Sequence, residues 1–565
     1  MSESSNSSLV RFAGIVALGS VASKILGFLR ETALASRFGS TYATDAYLMA
    51  MIIPTLILMG VGPAVTTTLI PVFTDIEKRK GRTAAFQSVT SIVNACVLVA
   101  AIISGAGMAL ARPLVHLVAP GFGPETYELT VTLTTIMFPI AVFSTITSVI
   151  TGLLHAVGKF AAPALTGLAQ NVVIISSIVF FGGKYGITAV AVGTLLGAAS
   201  MLAVQLPALA SVGYRHHIML DWHDEGLRQA GRLIAPIVAG SAAGQAGTIV
   251  IRTLASRLPE GSITNLNYAQ RLVGLPVTVL GASLITVLYP TLARLYSRDS
   301  GIGPAGGSGE LDLRGTRGLR GTPDLRSSRG PRGRMGPGPK GDFLRASERA
   351  VGIVFFVLAP MAVGLMALST PVVRLAFERG AFTDQSTSST AIALVYASIA
   401  IPAMSLSELM SKTFYAMHDT ITPMLVGVGA VGVNVVISIA LVGTMGHAGL
   451  ALAGSCQPIA VFVTLYLVFR ARVRRTASGQ APGYSLGSSA LKTLVATCVM
   501  SVSVVAFAGW IEKVVPGHGT GQQIIRLATS VGAGGVVYIA VAAALRSEEL
   551  CFAVGAAKKR IAARR

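Results

Sequence analysis

The residues able to do chemistry here are ionisable side chains set inside long apolar runs. Lys24, Arg30 and Glu31 interrupt the first run, Arg252 and Arg271 lie in two runs near the middle of the chain, and Glu408 and Lys412 share a later one. A charge at the centre of a bilayer costs about 2.5 to 3.5 kcal/mol on the insertion scale, so such residues are expected to line a cavity. Cations outnumber carboxylates in these runs. The cargo they suit is therefore an anion, and paired phosphates would match the two-pronged guanidinium of arginine. On an ideal helix Lys24 and Glu31 share a face, with Arg30 about 120° away. Gly27 between them is expected to bend the helix and turn both cations toward one cavity. Plainer readings stand beside these: Lys24 and Glu31 as an intrahelical pair, Arg252 and Arg257 snorkelling to an interface, Lys412 at a helix edge, and Asp45 as the N-cap of the second helix. Arg30 and Arg271 lie deepest in apolar surroundings and are read as functional.

Other constellations carry less. His216, His217, Asp221, His223 and Asp224 have metal-ligand residue types but no ligand spacing, so they are read as a solvated loop and no metal is expected. Cys96, Cys456, Cys498 and Cys551 lack a CxxC arrangement and are read as core thiols. No nucleophile elbow, HExxH motif or paired catalytic carboxylates occur, which argues against an enzyme, and no cofactor is expected.

The elements that must position these charges follow from composition. The 565 residues are 52% hydrophobic and only 12% charged, with a mean hydropathy of +0.68. That balance places the chain in the membrane class. The net charge of +21 is gathered into short clusters between apolar runs. With aromatic residues at 6%, it reads as topology and not as nucleic-acid binding. Marking runs of about 20 apolar residues gives about fourteen helices, an all-α polytopic fold. Their expected spans are 9–38, 44–75, 84–111, 126–156, 160–182, 186–212, 227–257, 264–296, 344–369, 385–416, 420–443, 447–469, 488–511 and 522–545. Basic residues follow the even-numbered helices: Lys78 to Arg82, Lys159, Arg215, the stretch beyond Arg294, Arg470 to Arg475, and the tail from Lys558. The positive-inside rule then puts both termini in the cytoplasm. Met1 to Ser8 lacks a basic n-region, so the first run is expected to be a retained helix.

Internal repeats divide the chain. Leu34-Ala35-Ser36-Arg37 recurs as Leu254-Ala255-Ser256-Arg257, an offset of 220 residues, whereas Pro113 to Phe122 resembles Pro371 to Phe382, and Ala156 with Pro163 matches Ala416 with Pro423 at an offset of 260. The change in offset implies an insertion of about 40 residues. Residues 299–342, rich in Gly, Pro, Ser and Arg, supply it and read as disordered. The expected organisation is an N-terminal lobe at 1–220, a C-terminal lobe at 221–475 carrying the insertion, and two further helices with a basic tail at 476–565. Internal prolines, among them Pro54, Pro139, Pro163, Pro236, Pro276, Pro360, Pro402 and Pro458, are expected to bend helices.

Six stretches together resemble the MviN/MurJ family of lipid II flippases, within the superfamily that includes MATE exporters. They are SKILGFLRE (23–31), ATDAY (43–47), VAPGF (118–122), GLLHAVGKFAAP (152–163), YAQRLVGLP (268–276) and FYAMHDTITP (414–423). The resemblance implies two six-helix lobes plus two C-terminal helices around a cationic cavity that alternates between the two sides of a bacterial plasma membrane. Its cargo would be an undecaprenyl-diphosphate-linked precursor, with membrane lipids and possibly cell-wall synthesis proteins as partners. Lys24, Arg30 and Arg271 would bind the diphosphate, Asp45 would help shape the gate, and Glu31, Arg252 and Glu408 would be cavity or gating residues. The sequence departs from the family in having Lys24 where an arginine is usual, Leu58 near a usual cavity arginine, and Gly274 at an acidic position. Relatives are thought to bind sodium between the seventh, eleventh and twelfth helices. Here those helices carry no carboxylate, which points to coupling through membrane potential instead. A drug exporter and an inactive scaffold for cell-wall enzymes are the alternative functions.

Overall fold

The computed structural model describes residues 3–58, 61–218, 221–299, 339–476, 485–517 and 519–551. The described residues form helices and connecting turns, without a strand. In a bilayer core only internally hydrogen-bonded backbone is tolerated, and runs this apolar satisfy that requirement as helices. The first part of the chain comprises α1 (Glu3–Phe38), α2 (Tyr42–Leu58), α3 (Val61–Lys80), α4 (Arg82–Ala109), α5 (Ala111–Val118), α6 (Pro124–Met137), α7 (Ile140–Ala156), α8 (Ala161–Ser176) and α9 (Gly182–Ser211). The middle comprises α10 (Glu225–Ala255), α11 (Ser262–Pro276), α12 (Ala282–Asp299), α13 (Pro339–Ala367), α14 (Ser369–Phe377), α15 (Asp384–Ser398), α16 (Ala400–Ala416), α17 (Ile421–Met445) and α18 (His447–Thr476). The pair α19 (Leu486–Val514) and α20 (Thr520–Ala544) follows.

All fourteen expected segments are helical, and ten stretches among the described residues are long and apolar enough to cross a membrane. One of the ten, Ala161–Ser211, is 51 residues long. At 1.5 Å per residue it would reach about 77 Å, more than twice the hydrocarbon thickness. It is broken at Gly186, whose φ of 61° is open to glycine at no steric cost. The expected first, second and seventh helices are not among the ten. They form as α1, α2 with α3, and α10, and they carry Lys24, Arg30, Glu31, Asp45 and Arg252.

Three of the prolines sit at breaks. Pro139 separates α6 from α7, Pro276 ends α11 ahead of a π turn at Val277–Gly281, and Pro402 follows the break between α15 and α16. Pro54, Pro360 and Pro458 lie within continuous helices. The breaks at 139 and 399 are 260 residues apart, the repeat offset found in the sequence. The short helices α5 and α14 were not anticipated. They follow α4 and α13 in the two repeats and contain the matching Pro113 and Pro371.

In the first half α1 packs on α8, α2 on α6, α3 on α7 and α8 on α9; in the second α11 packs on α15, α13 on α16 and α17 on α18. The last two helices pack on each other, and α19 also on α13. Tyr268 anchors the second half, stacked on Phe377 at 4.6 Å between ring centroids. Helix α10 straddles the halves, touching α3 and α4 as well as α17. Of the expected insertion, residues 300–338 lie outside the described residues, as does the basic tail from Lys558.

Candidate functional site

Arg30, Glu31 and Arg271 come together from the two halves of the chain. Glu31 Oε1 accepts from Arg30 Nη2 at 2.7 Å and lies 3.3 Å from Arg271 Nη2. The carboxylate side chain is 5% exposed, against 20% for Arg30 and 46% for Arg271. A lone charge buried to that degree would cost several kcal/mol, and here it is offset by two guanidiniums at hydrogen-bonding range. Arg30 Nη1 donates to Asn171 Oδ1 on α8 at 3.1 Å, so its fork is held on both prongs. Two cations around one carboxylate leave the cluster one positive charge in excess. The half-exposed Arg271 presents its remaining donors outward. This is an anion-binding arrangement, with the planar donors that phosphate oxygens take in pairs.

Lys24 is on the same helix, six residues or about 9 Å below Arg30, and exposed. It is not in the ion pairs of the cluster, and Glu31 pairs with the two arginines in place of the expected intrahelical Lys24 partner. The expected bend at Gly27 is absent, since α1 runs as one helix from Glu3 to Phe38. A Cβ on Gly27 would meet the Asn171 amide at 3.8 Å, so the glycine admits a neighbouring helix instead of kinking its own. Arg252 does not snorkel outward: its Nη1 is buried without a hydrogen-bond partner, with Asp45 and Arg271 the charges nearest to it in effect. Glu408 pairs with Lys412 on its own helix at 2.9 Å. Gly274 has open space where a side chain would stand, and the Leu58 side chain lies outside the described residues.

Asp45 does not cap its own helix. Although it begins α2, both of its oxygens reach the start of α11 in the other half: Oδ2 accepts from Gly261 N at 2.7 Å, and Oδ1 from Thr264 N at 2.8 Å and Thr264 Oγ1 at 2.5 Å. Three donors at a helix N-terminus, plus the positive end of its dipole, make a full cap supplied from another element. Around it the Ser40 hydroxyl bonds Gly261 O and Asn265 Oδ1, and Thr390 Oγ1 donates to the same Asn265 oxygen. Gly261 has a φ of 82°, and a Cβ there would fall 2.6 Å from Ser40 O, so glycine is required twice over.

The repeat explains why this latch is nearly symmetric. The LASR end of α1 meets the turn after α14, where Ala381 N donates to Ser36 O at 2.8 Å. The LASR end of α10 meets the turn after α5, where Gly121 N bonds Ser256 Oγ at 3.3 Å. None of Ser36, Ser40, Gly121, Gly261, Thr264, Asn265, Ala381 or Asn171 was singled out from sequence. For the first seven the available signal was the repeated LASR and its glycine-containing partners. For Asn171 it was an amide within an apolar run.

At the opposite, basic end Glu225 bonds Arg79 Nη1 and Lys80 Nζ, each at 2.7 Å, tying α10 to α3. Asp224 caps α10 through Leu227 N and accepts from Ser88 Oγ. His223 and Asp221 are joined locally, and the His216 ring lies beside Tyr214 Oη, so the histidine-rich segment serves as a strap across α4. Asp419, in the turn after α16, is held down to about 2 by the backbone N–H and hydroxyl of Thr422, with Arg472 contributing.

The comparisons with known proteins agree with this geometry. The family model described as lipid II flippase MurJ matches residues 34–529. A Burkholderia cenocepacia protein named lipid II flippase MurJ is 27% identical over 446 residues, covering 77% of this chain and 79% of the relative. A probable lipid II flippase MurJ of Rhizobium meliloti is 26% identical over 515 residues, covering 89% and 88%. Among solved structures, "Lipid II flippase MurJ, inward closed conformation" superposes with a TM-score of 0.71 at 21% identity, covering 93% of this chain and 97% of that one. An inward-facing MATE-family multidrug transporter superposes at 0.62 and 12% identity, covering 81% and 96%, which marks the shared fold alone. With the family model spanning most of its length, and with both halves and the latch between them in place, the chain belongs to the MurJ family.

Proposed function

We propose that the chain carries lipid II, an undecaprenyl-diphosphate-linked glycopeptide, from the cytoplasmic to the outer leaflet of the bacterial plasma membrane by alternating access. The observation that carries this is the pair of arginines from opposite halves converging on Glu31, 2.7 and 3.3 Å away. A diphosphate held there bridges the halves. It replaces the carboxylate as the shared counter-ion, which gives cargo binding a direct hold on how the halves sit. The excess of positive charge disfavours the cationic drugs that a MATE-like exporter would take. The basic loops put the end bearing Arg79, Lys80 and Glu225 in the cytoplasm, both termini with it, and the Asp45 latch at the outer face. The latched arrangement is then the one in which cargo enters from the cytoplasm. The test is reconstitution of the full chain into proteoliposomes with labelled lipid II. Transbilayer movement should exceed that of protein-free vesicles and be lost in Arg30→Ala and Arg271→Ala. Full movement in both variants would remove the diphosphate site.

A further inference from the structure

Asn171 is a buried amide in an otherwise apolar stretch of α8, and an amide is buried at a cost unless its groups are bonded. The helices approach closely here because small residues alternate across the seam. Gly19 faces Ala164, Ser23 faces Gly167, and Gly27 faces Asn171 itself. Recurrence at four-residue spacing is what lets two membrane helices come near enough for a short side chain to reach across. Asn171 Nδ2 donates to Ser23 O at 3.2 Å on α1 and to Gly167 O at 2.8 Å on its own helix. These two carbonyls fix which way the amide points. Reversed, its oxygen would face two acceptors and its NH2 would face a guanidinium. The oxygen is thereby committed to Arg30 Nη1 at 3.1 Å.

We propose that Asn171 is a positioning residue that sets the Arg30 guanidinium for the cargo anion. The choice of amide has a physical reason. Glu31 already holds the other prong, and a second carboxylate would cancel the charge that attracts the cargo, whereas a neutral acceptor orients the fork and leaves that charge intact. The identity of the cargo rests on the function proposed above; the positioning of Arg30 does not.

Two measurements on the purified full chain separate these. The first is the rate at which phenylglyoxal modifies Arg30, read by peptide mass. Asn171→Ala should raise it about fivefold to tenfold, the equivalent of one lost hydrogen bond to a charged group, and Asn171→Asp, which keeps the acceptor, should restore the slow rate. Asn171→Ser, too short to reach, replaces the alanine variant if that does not accumulate. A rate within twofold of the unaltered protein overturns the proposal whatever the cargo. The second is affinity for undecaprenyl diphosphate. Asn171→Ala should weaken it by a similar factor when Arg30 is present and have no further effect in an Arg30→Ala background. Equal losses in both backgrounds would reduce Asn171 to a packing residue and overturn the proposal. If Arg30→Ala binds the probe as tightly as the unaltered chain while Arg30 modification still responds to Asn171, the positioning stands and the diphosphate reading falls.

Discussion

Replacing Asp45 with asparagine should unlatch the outer end without disturbing either half. The carboxylate satisfies three donors at the start of α11, two through Oδ1 and one through Oδ2, and it is 3% exposed. An asparagine keeps one acceptor. With that oxygen on Thr264, its NH2 faces the Gly261 N–H, donor against donor, and a buried N–H is left unpaired at about 1 to 3 kcal/mol. Loss of the negative charge at the helix N-terminus adds about 0.5 to 1 kcal/mol. Together these come to about 3 kcal/mol, or roughly a hundredfold in the ratio of latched to unlatched molecules. The loss falls only on the latched state, because the bonds join α2 to α11 and none lies within one half. Ser36→Cys with Ala381→Cys reports the ratio, since their backbones are hydrogen-bonded at 2.8 Å, once Cys96, Cys456, Cys498 and Cys551 are replaced by serine. Oxidative cross-linking of this pair should slow at least tenfold in Asp45→Asn, with thermal stability of the detergent-solubilised chain nearly unchanged. A cross-linking rate within twofold of the parent would refute the reasoning, and so would global unfolding of the variant.

Four further outcomes are expected. Arg30→Lys should retain only part of the lipid II movement, since a point charge cannot bond Asn171, Glu31 and a phosphate as a fork does; activity equal to the parent would contradict this. Deleting 301–341 should leave membrane insertion and most transport intact, because the repeats align without that segment; loss of complementation would show it to be structural. Transport should run on an inside-negative potential without a sodium gradient, at about 2.3 kcal/mol per charge per 100 mV. Asn434 Oδ1 already accepts from Ser438 and its NH2 bonds Gln457, with no carboxylate nearby on α17 or α18 to offset a dehydrated cation; a strict sodium requirement at fixed potential would refute it. Finally, burial lowers the pKa of His216, and its neighbour His217 lowers it further. The unfolded segment therefore binds the proton more readily, and the strap should be stable above about pH 6.5 and loosen as pH falls below it, read as faster amide exchange at 214–217; exchange independent of pH after intrinsic correction would count against it.

The sequence by itself determined the class, the helices and the repeat. Apolar runs of bilayer length leave a backbone no alternative to helix, so the fourteen segments from 9–38 to 522–545 were legible, and the 260-residue offset located the paired breaks at 139 and 399. It also picked out Arg30 and Arg271, because a charge in an apolar run declares its own cost. What it could not give was pairing across the halves. Glu31 was assigned to Lys24 by helical spacing, yet its partners are the adjacent Arg30 and an arginine 240 residues away. Asp45 read as a local cap and instead caps α11, and Gly27 read as a hinge and instead admits Asn171. Helical periodicity tells which residues share a face. Only the packing of one helix on another decides which face each is given, and in the low dielectric between them the partner that arrives there, whatever its distance along the chain, takes the charge.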